Sequence, residues 1–213
     1  MKKKLITIFA AFAAVLSFTA CEAGDSEVDL GNPVIYIPQA TVTGLDNSYP
    51  IPSGPFGQNT SYTCNVKDGK LNIALGVIRA GFIKNAKAFS VNLGTSNSET
   101  ARKLAEYAEK ETPAMALPES VCSIPGKIEV EAGKNSGTCY VSVDLNALAN
   151  NASIKAESQY KLLVLGLEIS NPTEYELAEK NTSVVIVLDL NSSNWDNLGN
   201  MPEAAVRTMF PII

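Results

Sequence analysis

The residues best suited to recognition chemistry lie in LNSSNWDNLGNMPE, residues 190–203, where the single tryptophan, Trp195, stands among Asn194, Asp196 and Asn197. An indole face stacks on a pyranose ring while neighbouring amide and carboxylate groups bond its hydroxyls, so these residue types together have the composition of a sugar platform. The alternative is that the indole pins the C-terminal tail to the end of a β-sandwich. Asn194, Asp196 and Gly199 also fall loosely in step with a calcium loop. Leu198 occupies a position that needs an oxygen ligand, and Ala205 the position of the terminal Glu, so no calcium is expected there. Tyr49 and Phe56, in the proline-rich YPIPSGPFG, are a second candidate. That stretch reads as too polar and broken for a core strand, and aromatic loop residues at a sandwich end either make a binding surface or cap the core.

Catalysis has little to work with. Histidine is absent from the whole chain, which removes the commonest general base and metal ligand and excludes hydrolytic triads and His-containing zinc sites. Glu129 and Glu131 lie two apart on a predicted strand, and their carboxyls fall near the roughly 5 to 9 Å separations of glycoside hydrolysis. Alternation with Ile128 and Val130 puts them on a solvated face, where neither burial nor a cleft tunes a pKa, so solubility explains them better. No catalytic residue, cofactor or metal is expected. Cys64, Cys122 and Cys139 show no CxxC spacing. Cys64 alternates with Tyr62 and Val66, and Cys139 with Val141 and Val143, so both should face the core as small hydrophobes. One disulfide among the three is the alternative, and the sequence does not select its pair.

The elements that must carry these residues are strands. Period-two alternation recurs at 34–37, 61–66, 70–78, 88–94, 127–131, 138–145, 160–170 and 183–190, each run bounded by Gly, Pro, Asn or Ser. Short strands at such spacing argue for an all-β sandwich of about 7 to 8 strands. Asp68-Gly69 predicts a type I′ hairpin turn, and AGKNSG at 132–137 a longer hairpin loop. From Leu71 to Val77 the odd positions are apolar and should face the core. The last two strands are apolar at nearly every residue, as when both faces of a strand are covered. One segment breaks the rhythm: Ser96 to Pro113 carries a Ser96/Glu99 capping box, apolar Ala101, Leu104, Ala105 and Ala108, and Pro113 as a stop. Glu99 with Lys103 and Glu106 with Lys110 make i,i+4 pairs, so one amphipathic helix is expected over an edge or end of the sandwich.

The N-terminus sets the compartment. Lys2, Lys3 and Lys4 lead into the apolar LITIFAAFAAVLSFTA, the pattern of an export signal. Thr19 and Ala20 before Cys21 resemble a bacterial lipobox, with Phe18 where Leu is usual. Cleavage before Cys21 would leave a thioether-linked, acylated cysteine, and two or more acyl chains anchor stably because burial contributes about 0.8 kcal/mol per CH2. Glu22, Asp25, Glu27 and Asp29 then form a solvated tether, similar to the acidic export signals of Bacteroidetes surface lipoproteins. Loss of residues 1–20 takes three lysines with it and leaves 14 basic residues against 22 acidic ones, a formal charge of −8 that makes nucleic acid an unsuitable partner. The expected organisation is a signal at 1–20, a lipidated cysteine and tether at 21–31, a sandwich domain at 32–190 and a tail at 191–213.

VIYIPQA, YPIPSG, the helix, ALPESVCSIPGKIEVEAGKNSGTCYVSVDL, YKLLVLGLEIS and SVVIVLDL, in this order, resemble a Bacteroidetes family of unknown function. Its members form the N-terminal domain of surface lipoproteins encoded near starch-utilisation-type outer-membrane transporters. The resemblance covers roughly residues 32–190 and is most specific in the YxIP rhythm and IPGKIEVEAGKNSG. It implies an immunoglobulin-like antiparallel β-sandwich with one inserted helix, an outer-membrane, cell-surface location, and a role in glycan capture beside a transporter. No catalytic residue belongs to the family motif. Relatives usually continue into a second module that binds or cleaves sugar. The expectation is therefore a non-enzymatic accessory binding protein for glycan, with Trp195, Asp196, Asn194, Tyr49 and Phe56 as the ligand-binding residues. The alternative is an adhesin or fimbria-like subunit whose MFPII end adds to a neighbour's sheet edge, although Pro211 lacks the N–H of a central strand.

Overall fold

Alternating apolar residues assemble into two facing sheets in the computed structural model of this chain, which describes residues 31–44, 46–51, 64–156 and 162–189, the side chains of 155 and 156 excepted. The strands are β1 (Val34–Tyr36), β2 (Ser48–Ile51), β3 (Cys64–Lys67), β4 (Lys70–Arg79), β5 (Phe89–Thr95) and β6 (Ala114–Ala116). They continue with β7 (Cys122–Ser123), β8 (Lys127–Val130), β9 (Ser136–Asp144), β10 (Leu162–Ser170), β11 (Glu176–Leu177) and β12 (Ser183–Asp189). Helix α1 (Asn97–Glu109) follows β5, and the short α2 (Leu145–Asn150) and α3 (Ala152–Ala156) follow β9. Sheet I runs β11-β1-β4-β9-β7, with β3 also pairing with β4; sheet II runs β2-β12-β10-β5-β8, with β6 pairing with β10. The long central pairs are antiparallel, and β1–β11, β2–β12 and β6–β10 are parallel. The fold is thus the expected all-β sandwich. Four strands exceed the expected runs: β6, β7 and β11 are two or three residues long, too short to show alternation, and β2 lies in the proline-rich stretch that reads as too broken for a core strand.

Leu71, Ile73, Leu75 and Val77 of β4 and Val141 and Val143 of β9 face Val91, Leu93, Leu165, Leu167, Val184 and Ile186 of sheet II in one buried core. Each such side chain contributes roughly 1.5–3 kcal/mol of apolar transfer, before the entropy of ordering the chain is deducted. Asp68 and Gly69 both take positive φ, 52° and 73°, which makes the β3–β4 connection the predicted tight hairpin. The second predicted hairpin is not one. β8 pairs with β5 in sheet II, whereas β9 pairs with β4 and β7 in sheet I, so residues 131–135 carry the chain from one sheet to the other. The strands still approach closely at Gly137, where a Cβ would collide with the Glu129 carbonyl, and alternation alone does not separate such a crossing from a pairing.

Strands β10 and β12 are apolar on both sides because α1 roofs sheet II. Val164, Val185 and Val187 are buried against Leu104 and Tyr107. Gly166 admits the helix: a Cβ there would strike the Ser96 carbonyl and the Thr100 amide, and the bare backbone instead bonds both ends of the first turn. Ser96 N–H donates to the Gly166 carbonyl at 2.8 Å, and Gly166 N–H donates to Thr100 Oγ1 at 2.8 Å. The predicted capping box does not form, since the Ser96 hydroxyl donates to Glu168 Oε2 at 2.9 Å and Glu99 accepts from Asn47 and Arg102. Of the predicted ion pairs, Glu106–Lys110 forms at 2.7 Å, but Lys103 turns to Asp46 and Glu106. The buried face of α1 is correspondingly rotated: Ala101, Ala105 and Ala108 are exposed, and Lys103 is buried.

All three thiols lie on sheet I with their side chains toward the core. Cys64 is level with Ile73 and Val141, two strands from β9, while Cys139 lies two residues further along and Cys122 stands beside Val143. Strand spacing and rise put every pair at about 12 Å or more, beyond the roughly 7 Å Cα separation a bridge tolerates.

Candidate functional site

Cys21, Phe56, Asn194, Trp195 and Asp196 lie outside the described residues. Tyr49 is placed, and the expectation of a loop there is overturned. Ser48–Ile51 is a strand in register with Val185–Leu188 of β12, and Pro50 is tolerated because β2 is the last strand of the sheet order. The Tyr49 side chain is 2% exposed and belongs to the core, so it offers no ring face to a ligand.

The outer face of sheet I brings together a different set. Pleating sends Cys139, Val141 and Val143 inward and Thr138, Tyr140, Ser142 and Asp144 outward. Tyr140 is 52% exposed, one of the few large apolar side chains so exposed among the described residues. Ala74 stands directly opposite it on β4 and Gly76 opposite Thr138, so the ring rises beside a floor of small residues. One row along, Ser142 Oγ donates to Asn72 Oδ1 at 2.7 Å and Asn72 Nδ2 donates to Asn65 Oδ1 at 3.2 Å, a neutral ladder across three strands. Where neither β1 nor β3 reaches β4, Gln39 Oε1 accepts from Gly76 N–H at 3.2 Å and fills the gap in the edge. A half-exposed aromatic ring next to uncharged amides and hydroxyls can stack on a flat ring and bond its substituents. The signal for it was present in TCYVSVDL, whose outward positions contain one large aromatic among polar residues.

Among the described residues no helix covers this face, since α1 lies on the other sheet, where a polar clamp holds it. Lys103 Nζ, on a side chain 4% exposed, donates to Asp46 Oδ2 at 2.6 Å and Glu106 Oε2 at 2.9 Å and lies 5.1 Å from the Tyr107 ring centre. Burial works against the Asp46 carboxylate, but hydrogen bonds from Lys103, Thr43 and Ser48 outweigh it and hold the carboxyl well below the usual range. Burial likewise disfavours the Lys103 ammonium, and its two carboxylate partners override that and raise its pKa. Asn47 extends the clamp, donating to Glu99 Oε2 at 3.0 Å and Ser183 Oγ at 2.9 Å. With every charge partnered, the cluster is built to fasten α1 rather than to react.

Two shallow depressions flank the sandwich. One, of about 440 Å³, is lined by Phe89, Ser90, Lys127, Glu129, Glu131 and Thr173. Its Glu129 is 76% exposed and sits 3.3 Å from Lys127, so the carboxylates project into solvent as expected. The other, of about 490 Å³, lies beside Tyr36. Among the described residues no cluster of three His, Cys, Asp or Glu is arranged to hold a metal, and no helix is long and apolar enough to cross a membrane.

No family model matches the chain, and no curated protein matches it. Among solved structures it is similar to a candidate carbohydrate binding protein from Bacteroides ovatus, at 10% sequence identity and a TM-score of 0.46, over 74% of this chain and 37% of that one. It is also similar to a Bacteroides ovatus protein of unknown function, at 14% identity and a TM-score of 0.47, over 74% of this chain and 52% of the other. An auxiliary nutrient binding protein from Bacteroides thetaiotaomicron matches at 14% identity and a TM-score of 0.41, over 64% and 47%. The chain therefore spans between 37% and 52% of the length of these proteins. These three are Bacteroides proteins of unknown or binding function, and another similar structure, EndoBT-3987 of the same genus, was solved with a Man5GlcNAc product; at such identities the likeness concerns the arrangement of strands alone.

Proposed function

We propose that this chain is a non-enzymatic glycan-binding module, held on the outer membrane through a lipidated Cys21, and that the outer face of sheet I around Tyr140 takes the sugar. The observation that carries the reading is Tyr140 itself, half exposed beside Ala74 and the neutral Asn65–Asn72–Ser142 ladder, on the sheet that α1 leaves uncovered. The reading as a binder rather than an enzyme rests on the absence of histidine and on the solvation of Glu129. The anchor rests on Lys2–Lys4, the apolar run and the small residues before Cys21. Display beside an outer-membrane nutrient transporter follows from the family resemblance. The test is a glycan array on the soluble form beginning at Glu22. Wild type should bind and Tyr140→Ala should lose on the order of tenfold in affinity, the equivalent of about 1.4 kcal/mol of stacking. Undiminished binding by Tyr140→Ala together with loss in Trp195→Ala would move the site to the C-terminal segment. No binding by any form would discard the glycan proposal.

A further inference from the structure

We infer that the ligand is an extended, uncharged oligosaccharide lying diagonally across sheet I from Tyr140 to the groove beside Tyr36, rather than a single terminal sugar; this rests on the glycan reading above. Tyr36 projects from the same face as Tyr140, since Ile35 and Ile37 on either side of it are buried. Its register partner on β4 is Ile78, whereas that of Tyr140 is Ala74, and β1 and β9 flank β4 on opposite sides. Four residues of rise and two strand spacings separate the two rings by about 16 Å, more than a monosaccharide or disaccharide bridges.

What lies between them is suited to a chain in passing. Ala74 and Gly76 keep the floor low, and a Cβ at Gly76 would strike the Gly137 carbonyl. Thr138 and Ser136 supply hydroxyls along β9, and the Gly76 N–H is already satisfied by Gln39. The far end is the shallow depression of about 490 Å³ lined by Val34, Tyr36, Ala80, Glu179, Lys180 and Asn181. Glu179 and Lys180 cancel in charge, the positions between the rings are uncharged, and the form from Glu22 onward carries 14 basic against 22 acidic residues, so a polyanion is disfavoured and a neutral chain is not. Two aromatic contacts on one ligand then act as linked sites, the second binding at the high effective concentration set by the first.

The test is calorimetric titration of the soluble form with maltose, cellobiose and mannobiose and with each series up to the hexasaccharide. In the series that binds, Kd should tighten at least tenfold between the disaccharide and the length that reaches both rings, and then level off. Tyr36→Ala should abolish that gain and leave the disaccharide unchanged, while Tyr140→Ala weakens every length. Lys180→Ala, an exposed residue of the same groove, should reduce the gain if Tyr36→Ala does not fold. Binding that is independent of length, or a full gain retained in both groove variants while Tyr140→Ala weakens it, overturns the track and leaves the glycan reading standing. Tighter binding of polygalacturonate fragments than of any neutral series overturns the inference of an uncharged chain. No binding by any series overturns the glycan reading and the track together.

Discussion

Replacing Lys103 with Met tests whether the polar clamp fastens α1 to sheet II. Removing one partner of a fully buried ion pair costs about 3–5 kcal/mol, because the other charge is left uncompensated. Here the two stranded carboxylates, Asp46 and Glu106, keep 32% and 28% of their side-chain surface in water. Solvent screens them, and Met replaces the buried stem, so the expected loss falls to roughly 1–3 kcal/mol. For a domain of this size that is a fall in Tm of about 3–10 °C. The pH dependence carries its own signature. Asp46 is held below its unfolded value, so its contribution is present above the unfolded carboxylate pKa of about 3.9 and is lost as pH falls through the folded value. Lys103 is raised, so its contribution is complete below about 10.4 and is lost as pH rises through the folded value. The gap between wild type and variant should be widest from about pH 5 to pH 10 and should narrow toward both extremes. Urea denaturation followed by circular dichroism at several pH values measures it. A gap below about 0.5 kcal/mol at pH 7, or one that stays constant down to pH 2, would refute the clamp.

Further expectations follow from other residues. Gly166→Ala should destabilise by about 1–3 kcal/mol, because the added methyl would strike the Ser96 carbonyl, the Thr100 amide and the Glu99 Cβ, none of which swings aside; an unchanged urea midpoint would mean that the helix does not sit on Gly166. Burial pushes the Cys122 thiol, which Glu119 further raises, and the Cys139 thiol to about 11. The native soluble form should therefore react slowly with a disulfide reagent at pH 8, and the denatured form should show all three thiols without reductant; two fewer would reveal a bridge that the sheet register forbids. In a bacterial host, Cys21→Ser should abolish incorporation of labelled fatty acid and release from the membrane fraction should follow; labelling that persists would place the lipid elsewhere.

The sandwich was legible because its long strands obey a local rule. Leu71 to Val77 and Thr138 to Leu145 show their buried face by period-two alternation, and the doubly apolar sequences of β10 and β12 imply a cover on each side, which the core and α1 supply. The paths between strands obey no such rule. AGKNSG has the composition of a hairpin loop yet crosses between sheets, because pairing depends on partners distant in sequence. The face of α1 differs from its alanine spacing for the same reason: the buried Lys103 is paired with Asp46, 57 residues earlier, and helical spacing carries no information about that partner. YPIPSGPFG reads as too polar and broken for a core strand, yet its first residues form one, because an end strand of a sheet tolerates Pro50. Alternation on β9 identifies the inward residues, but the informative departure from pattern is Tyr140, one large aromatic among the outward ones.

Amide chemical-shift mapping tests the central claim most directly. The soluble form is titrated with the tightest-binding oligosaccharide of the maltose, cellulose and mannan series. The account predicts that shifted amides cluster on the outward rows of β4 and β9, around Asn72, Ala74, Thr138, Tyr140 and Ser142, with α1 and the Asp46–Lys103 clamp unmoved. Shifts gathered around Trp195 or on the helical face, with β4 and β9 silent, would contradict it.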